Sequence, residues 1–388
     1  PNLNLEGIMV QIIRSRPSGS GTSMRVLVLF VGVVLLVDHL AGAAVSNISQ
    51  LEAAAKDGYV PQEIELAAAY FTGDGVPKDA KQAAYWYQKA AESGDPDAQK
   101  EIGFFYQAGI GVPVDPAKAM HWYQMSAASG LVSAKVNLGV MYVWGISVPK
   151  NEALALQLFQ EAANRGNGTG ASYLGDLYYF GIGVEQDKAA AEKWYETGVK
   201  LRDPIAAYNL GSLFSVAADH PHDLRKAAVL LRQSAIGGYV PAMHSLGLLL
   251  VNHSELAKSP QEATSELEAA ANAGSWKSSV VLGLLARDGK GVAADSKVAY
   301  YHFQVAILQG GEPAMRLVQS NIQALTNKLG TQQTKVLDSD ANAWYEHHQV
   351  PLLFVYKDGD KRQRFPASAL AVSTGGLHAG QLLSTPAS

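Results

Sequence analysis

Apolar residues recur along this chain at spacings of three and four, and the same stripe returns every 36 residues. One stripe runs Ala98, Ile102, Gly103 and Tyr106, and the next Ala134, Leu138, Gly139 and Tyr142. The series continues through Gly170, Leu174, Gly175 and Tyr178 to Ala206, Leu210, Gly211 and Phe214. Such spacing predicts one buried face of an α-helix. A second stripe follows each first one. Ala83, Ala119, Ala155, Ala191, Ala227, Ala263 and Ala299 form a column without exception, which implies close approach of another helix. Large side chains come next, at Trp86/Tyr87, Trp122/Tyr123, Leu158/Phe159, Trp194/Tyr195, Leu230/Leu231, Leu267 and Phe303.

Polar and glycine positions punctuate these stripes in the same phase. Asp79, Asp115, Asn151, Asp187, Asp223, Ser259 and Asp295 all have the chemistry of helix N-caps, whose side-chain oxygen accepts an unpaired first-turn amide. Gly58, Gly94, Gly130, Gly166, Gly238, Gly274 and Gly310 stand where the second helix should end in a left-handed residue, and the missing term of that ladder is Arg202. A Gly-x-Gly-Val loop joins the helices at Gly73–Val76, Gly109–Val112, Gly181–Val184 and Gly289–Val292, with the Val expected to tuck under the turn. Gly103, Gly139, Gly175, Gly211, Gly247 and Gly283 fall mid-helix, at a cost of ~1 kcal/mol each against Ala. Their recurrence predicts backbone-to-backbone contact between the two helices. Gapless repetition means stacked identical units: about seven helix–loop–helix repeats, preceded by a half repeat from Leu51 to Gly58. The loops at 217–219 and 253–255 lose their paired glycines and should differ locally, as should the stretch from 198 to 222 that contains Arg202.

The order Ala-x3-Leu-Gly-x2-Tyr-x2-Gly-x-Gly-Val, then Asp-x3-Ala-x2-Trp-Tyr-x2-Ala-Ala-x2-Gly, resembles the Sel-one-like repeat (SLR), a cousin of the tetratricopeptide repeat with a longer inter-helix loop. Residues 62–94 and 98–130 match nearly position by position, and the likeness covers about 48–325. The fold expected is all-α, a right-handed α-solenoid of helix–loop–helix repeats with a 36-residue period. The domain reading places the solenoid at 44–325 and a capping helix at 326–348, within which Thr331–His347 carries Val336, Leu337, Ala341 and Trp344 as its apolar positions. The tail at 349–388 holds the ingredients of a small hairpin around Leu352–Tyr356 and Arg364, and reads as disordered from Gly375.

Composition narrows the partners. The 388 residues carry a net charge of −4 with no long basic run, which argues against nucleic acid. Met24-Arg25, the apolar run Val26–Val37 and Ala41-Gly-Ala43 read as a secretory signal cleaved after Ala43, so residues 1–43 are taken as upstream sequence plus signal peptide. Twelve apolar residues are too few for a span of ~20. The expectation is an exported protein, periplasmic or secreted, without a membrane span after cleavage; an uncleaved N-terminal anchor is the alternative. The chain contains no cysteine, so export would proceed without disulfides.

Candidate chemistry is sparse. The resemblance brings in relatives that bind or hydrolyse β-lactams, making a cell-wall or β-lactam-binding hydrolase the alternative function. Against it, Ser147-Val-Pro-Lys150 is a lone Ser-x-x-Lys without Lys-Thr-Gly or Ser-Asp-Asn company, and that branch of relatives is cysteine-rich. His347-His348 and His220-Pro-His222 lack the spacing of a zinc site, so no catalytic, cofactor or metal residue is assigned. Asn167-Gly-Thr169 and Asn252-His-Ser254 are glycosylation sequons, meaningful only in a eukaryotic secretory pathway. What remains is the surface of the first helices, the concave face in tetratricopeptide-type solenoids. The repeat does not fix Lys100, Phe104, Gln107, Val136, Val140, Val143, Ser172, Asp176, Tyr179, Tyr208, Ser212, Ser215, His244, Leu248 and Val251. Lys100, Phe104, Gln107, Val140, Val143, Asp176, Tyr179, Tyr208, His244, Leu248 and Val251 are the partner-binding set. The function expected is a non-catalytic interaction scaffold or adaptor, monomeric, that binds another protein or an extended peptide and no nucleic acid.

Overall fold

A computed structural model of the chain describes residues 48–216 and 223–348, with the backbone of 355–358 and 361–364. The expected signal sequence, the loop at 217–219, His220 and His222, and the tail beyond Arg364 lie outside the described residues. The fold is a helical solenoid. Its chain divides into two compact units, one ending at Gly94 and one beginning at Asp95.

In the first unit, α1 (residues 48–56) is followed by α2 (Val60–Thr72) and α3 (Ala80–Glu92). Gly58 turns the chain between α1 and α2 at φ 89°, a conformation that costs glycine little. The loop after α2 is closed by Asp79 N–H donating to Tyr70 O at 2.9 Å. Asp79 then caps α3 by accepting from Lys81 N and Gln82 N. Buried Glu63 on α2 pairs with Lys89 of α3 at 2.8 Å, and Lys89 also donates to Ala55 O of α1 at 3.0 Å. One ammonium thus ties three helices together.

The second unit contains α4 (Pro96–Ala108), α5 (Pro116–Ala128), α6 (Val132–Trp144), α7 (Glu152–Asn164), α8 (Gly168–Phe180) and α9 (Lys188–Lys200). It continues with α10 (Pro204–Val216), α11 (Leu224–Ile236), α12 (Val240–Asn252), α13 (Glu262–Asn272), α14 (Trp276–Asp288) and α15 (Ser296–Gly310). Even-numbered members are first helices, and each packs on the second helix that follows. The loop closure of the first unit recurs: Asp115, Asn151, Asp187, Asp223 and Asp295 donate their N–H to Tyr106, Tyr142, Tyr178, Phe214 and Ala286 O. The side chains of those five residues cap the next helix.

The mid-helix glycines have a different cause from the one expected. A Cβ on Gly103, Gly139, Gly175 or Gly283 would lie 2.5–2.8 Å from the buried ring of Tyr123, Phe159, Tyr195 or Phe303. Each glycine therefore makes room for a ring, and backbone approach is the smaller part: Ala119 O and Ala191 O stand 3.3 and 3.2 Å from the Cβ sites of Gly103 and Gly175. The Ala column is fully buried save at Ala263, which is half-buried.

Three expectations are corrected. Ser259 is no cap, because α13 begins only at Glu262 with Gln261 before it. Gly310 is the last residue of a longer helix, and the left-handed turn moves to Gly311 (φ 63°). Val76, Val112 and Val184 are half-buried, but Val292 is exposed, so the loop valine is no general anchor. Arg202, the missing ladder term, keeps the backbone of the glycines it replaces (φ 61°).

The glycine-free loop at 253–255 becomes a short 3-10 turn, Ser254–Leu256. It is held by Arg232, whose guanidinium donates to both Glu262 oxygens at 2.5 and 3.1 Å and to Leu256 O at 2.5 Å. Beyond the repeats, α16 (Glu312–Leu329) and α17 (Thr331–His347) pack on α15. Ala314, Val318 and Leu325 join Tyr300 and Phe303 in one core cluster, and Tyr300 O–H donates to Asp338 at 3.0 Å. Ala341 is buried in α17, whereas Val336 faces out. Strands β1 (Val355–Asp358) and β2 (Lys361–Arg364) pair antiparallel, with Val355 opposite Arg364.

Candidate partner-binding surface

The eleven positions expected from sequence to bind a partner all lie on first helices of the second unit. Lys100, Phe104, Gln107, Val140, Tyr179, His244 and Val251 are half-buried, while Val143, Asp176, Tyr208 and Leu248 are buried. The buried members fill seams within and between repeats. Val143 packs in the core cluster that holds Phe159, Tyr173 and Leu177, with Val140 at its margin. Val251 borders Leu267, Leu282 and Leu285.

The half-buried members offer varied chemistry. Lys100 pairs with Glu101 at 2.6 Å, Phe104 meets Phe105 edge-on, and Gln107 accepts from the Tyr123 hydroxyl at 2.7 Å. Lys188 Nζ lies 5.6 Å from the centre of the Tyr179 ring. His244 Nδ1 stands 2.8 Å from Ser278 Oγ, and burial, helped by Lys277, pushes its imidazole down to about 4. It is therefore neutral at physiological pH.

Asp176 is the centre of a polar cluster between the fourth and fifth repeats. Its Oδ1 accepts from Tyr195 O–H at 2.6 Å and from Asn209 Nδ2 at 2.9 Å. Oδ2, and Asn209 Oδ1, are buried without a hydrogen-bond partner. Burial pushes the Asp176 carboxyl up to about 7; the Tyr195 hydrogen bond opposes that shift and the negative charge of Asp203 adds to it. Asp203 itself caps α10 through Ala206 N and accepts from Ser172 Oγ at 2.6 Å and Thr169 Oγ1 at 2.7 Å. Tyr195, Asn209, Asp203 and Thr169 were not singled out for this cluster by sequence. Their columns hold like residues in other repeats, such as Tyr123, Asn137, Asp95 and Ser133, so no break in a column signals the cluster.

Ser147 and Lys150 are exposed in the inter-helix loop. Ser147 takes φ 61° at the place of Gly75, Gly111, Gly183 and Gly291, which gives it the role of a turn residue. His347 and His348 each place Nδ1 near a carbonyl of α17, at 2.7 and 2.8 Å. Among the described residues, no group of three or more His, Asp or Glu could hold a metal, and no helix is long and apolar enough to cross a membrane.

The Sel1 repeat family matches at residues 63–95, 96–131, 132–167, 169–203, 204–239 and 280–311, over half of the chain. The chain belongs to the Sel1 repeat family. The matched segments leave out 240–279, the stretch where the Sel1 cap is lost at Ser259 and the loop glycines are replaced. A Sel1 repeat protein from Oxalobacter formigenes is 30% identical over 54% of this chain and 84% of its own, with a TM-score of 0.47. The c5321 protective antigen of uropathogenic Escherichia coli, which displays an SLR fold, is 23% identical over 82% and 92%, at 0.30. Immunity protein Pa5087 of Pseudomonas aeruginosa is 20% identical over 66% and 84%, at 0.41. No curated protein matches the chain.

Proposed function

We propose that this Sel1 repeat protein is a non-catalytic adaptor that binds an extended segment of another protein along its first helices. Sel1 repeats generally mediate protein interactions. The observation that carries the reading here is that Lys100, Phe104, Tyr179, His244 and Val251 stay half-buried and chemically varied while the columns around them are uniform and closed. Such a surface suits a peptide that places alternate side chains in shallow recesses. Export belongs to the same proposal and rests on Met24-Arg25, the apolar run Val26–Val37 and Ala41-Gly-Ala43.

Affinity capture from envelope and culture-fluid extracts tests it, comparing the wild type with Phe104→Asp, Val140→Asp and Tyr179→Asp combined. Each buried apolar contact is worth ~1.5–3 kcal/mol, so loss of even one should weaken capture about tenfold or more. A partner retained equally by the triple variant, with its helix content unchanged, would exclude this surface.

A further inference from the structure

In two repeats the protein sets a cation of its own over the first-helix ring that stands nine residues before the capping Asp. Lys118 Nζ lies 4.9 Å from the Tyr106 ring centre and 3.8 Å from Asp115 Oδ2. Lys226, three periods later, repeats this over Phe214 at 5.1 Å, with Asp223 Oδ2 at 3.6 Å. In both cases Oδ1 of the same Asp accepts from the lysine backbone N–H. One carboxylate therefore caps a helix with one oxygen and faces an ammonium with the other.

The first repeat keeps the ring and the cap as Tyr70 and Asp79, but Gln82 stands where the lysine belongs. Asp79 Oδ1 caps α3 as before, at 2.9 and 3.1 Å. Beside the ring opens a cavity of about 450 Å³, walled by Tyr70, Asp79, Gln82 and Trp86. Glu52 of α1 brings a second carboxylate, whose Oε1 accepts from Tyr70 O–H at 3.2 Å. Burial and the two carboxylates Glu52 and Asp79 hold the Tyr70 hydroxyl in its protonated form by raising its pKa. Two lysines also border the cavity. Lys56 is engaged by Glu52 Oε2 at 3.5 Å, and Lys78 Nζ lies 5.9 Å from the centre of a different ring, Phe71.

We propose that this cavity receives an alkylammonium group, the lysine side chain of a partner polypeptide, in the place that Lys118 and Lys226 fill from within. The Tyr70 ring and the Asp79 carboxylate repeat the pair that the protein sets around its own Lys118 and Lys226, and Trp86 adds a further wall to the cavity. Cation–π contact and an adjacent carboxylate are the recurring chemistry of ammonium recognition. The proposal stands apart from the surface on the second unit, because the cavity lies within the first unit alone.

The test follows tryptophan indole N–H signals of the 15N-labelled full chain, with Trp86 assigned by Trp86→Phe. The probes are the Nα-acetyl methylamides of lysine, of norleucine (the same alkyl chain without the ammonium) and of glutamate. The lysine probe should shift Trp86 saturably, and the norleucine probe should not. Gln82→Lys, the residue the second and fifth repeats already carry there, should abolish the shift. Asp79→Asn should weaken it about threefold to tenfold, while keeping the cap, as Asn151 does in the third repeat. No shift, equal shifts from lysine and norleucine, or binding that persists in Gln82→Lys would overturn the proposal. A stronger response to glutamate would also overturn it, assigning the cavity to an anion through Lys56 and Lys78.

Discussion

Replacing Asp176 by Asn should stabilise the folded chain most at alkaline pH and only about a third as much near pH 5. Asp176 is fully buried, with Tyr195 and Asn209 bonded to Oδ1 and bare Oδ2. The titratable groups named around it are Tyr195, Tyr173 and Asp203, none of them a cation. The folded carboxyl sits at about 7 against an ordinary 3.8, so the native state holds its proton more tightly than the unfolded chain does. Stability from this group is complete below the unfolded value, falls as pH rises from about 4 to about 7, and stays lost above that. Three units correspond to ~4 kcal/mol, an order-of-magnitude figure. The neutral acid can also donate from Oδ2, and an Asn amide can do the same. Unfolding midpoints in urea, read by hydrogen exchange over α8 to α10 because repeats unfold semi-independently, should be compared between pH 5 and pH 8.5. His244 and His302, both held down to about 4 by burial, lose stability only as pH falls below about 6.5, and they cancel in the difference. A pH-independent gap between Asp176→Asn and wild type, or a destabilised variant at pH 8.5, would refute the reasoning.

Other consequences follow from particular contacts. Gly283→Ala puts a Cβ 2.5 Å from the buried Phe303 ring; overpacking of ~1–3 kcal/mol outweighs the ~1 kcal/mol helix gain, so the urea midpoint should fall. Arg202→Gly relieves a left-handed non-glycine residue at a cost of ~1–2 kcal/mol, and after the entropy glycine adds to the unfolded chain the net gain should be up to ~1 kcal/mol in thermal unfolding. Arg232→Ala leaves Glu262, which is mostly buried, without its guanidinium partner. A loss of ~3 kcal/mol should show as protease cleavage between 253 and 261 well before global unfolding.

The stacking framework was legible because each column repeats a physical demand. Ala at 83, 119 and 155, capping Asp at 79, 115 and 187, and left-handed Gly at 58, 94 and 130 all serve the same contact in successive units. The mid-helix glycines were legible as a column but misread in cause, since periodicity shows that space is needed and not whether a ring or a backbone takes it. Ser259 was misplaced because residue type alone made it a plausible cap, whereas the helix start there is set by the Arg232–Glu262 pair 30 residues apart. The Asp176–Asn209 contact joins different columns of adjacent repeats, so no single column announces it. Gln82 carried no sequence signal until Lys118 and Lys226 were seen to share one task. The charge pair Glu63–Lys89 returns two periods later as Lys135–Glu161 with its signs exchanged, a relation that residue-by-residue matching conceals.

On the proposed division of labour, the columns hold the solenoid together and the half-buried first-helix positions are left to meet a partner. A photo-crosslinking residue placed singly at Phe104, Tyr179 or Val251, and as controls at the exposed second-helix positions Val229 and Val298, tests this directly in extracts. One shared adduct is expected at the first three sites and none at the controls. Adducts at Val229 and Val298 alone, or indiscriminate labelling at all five, would contradict it.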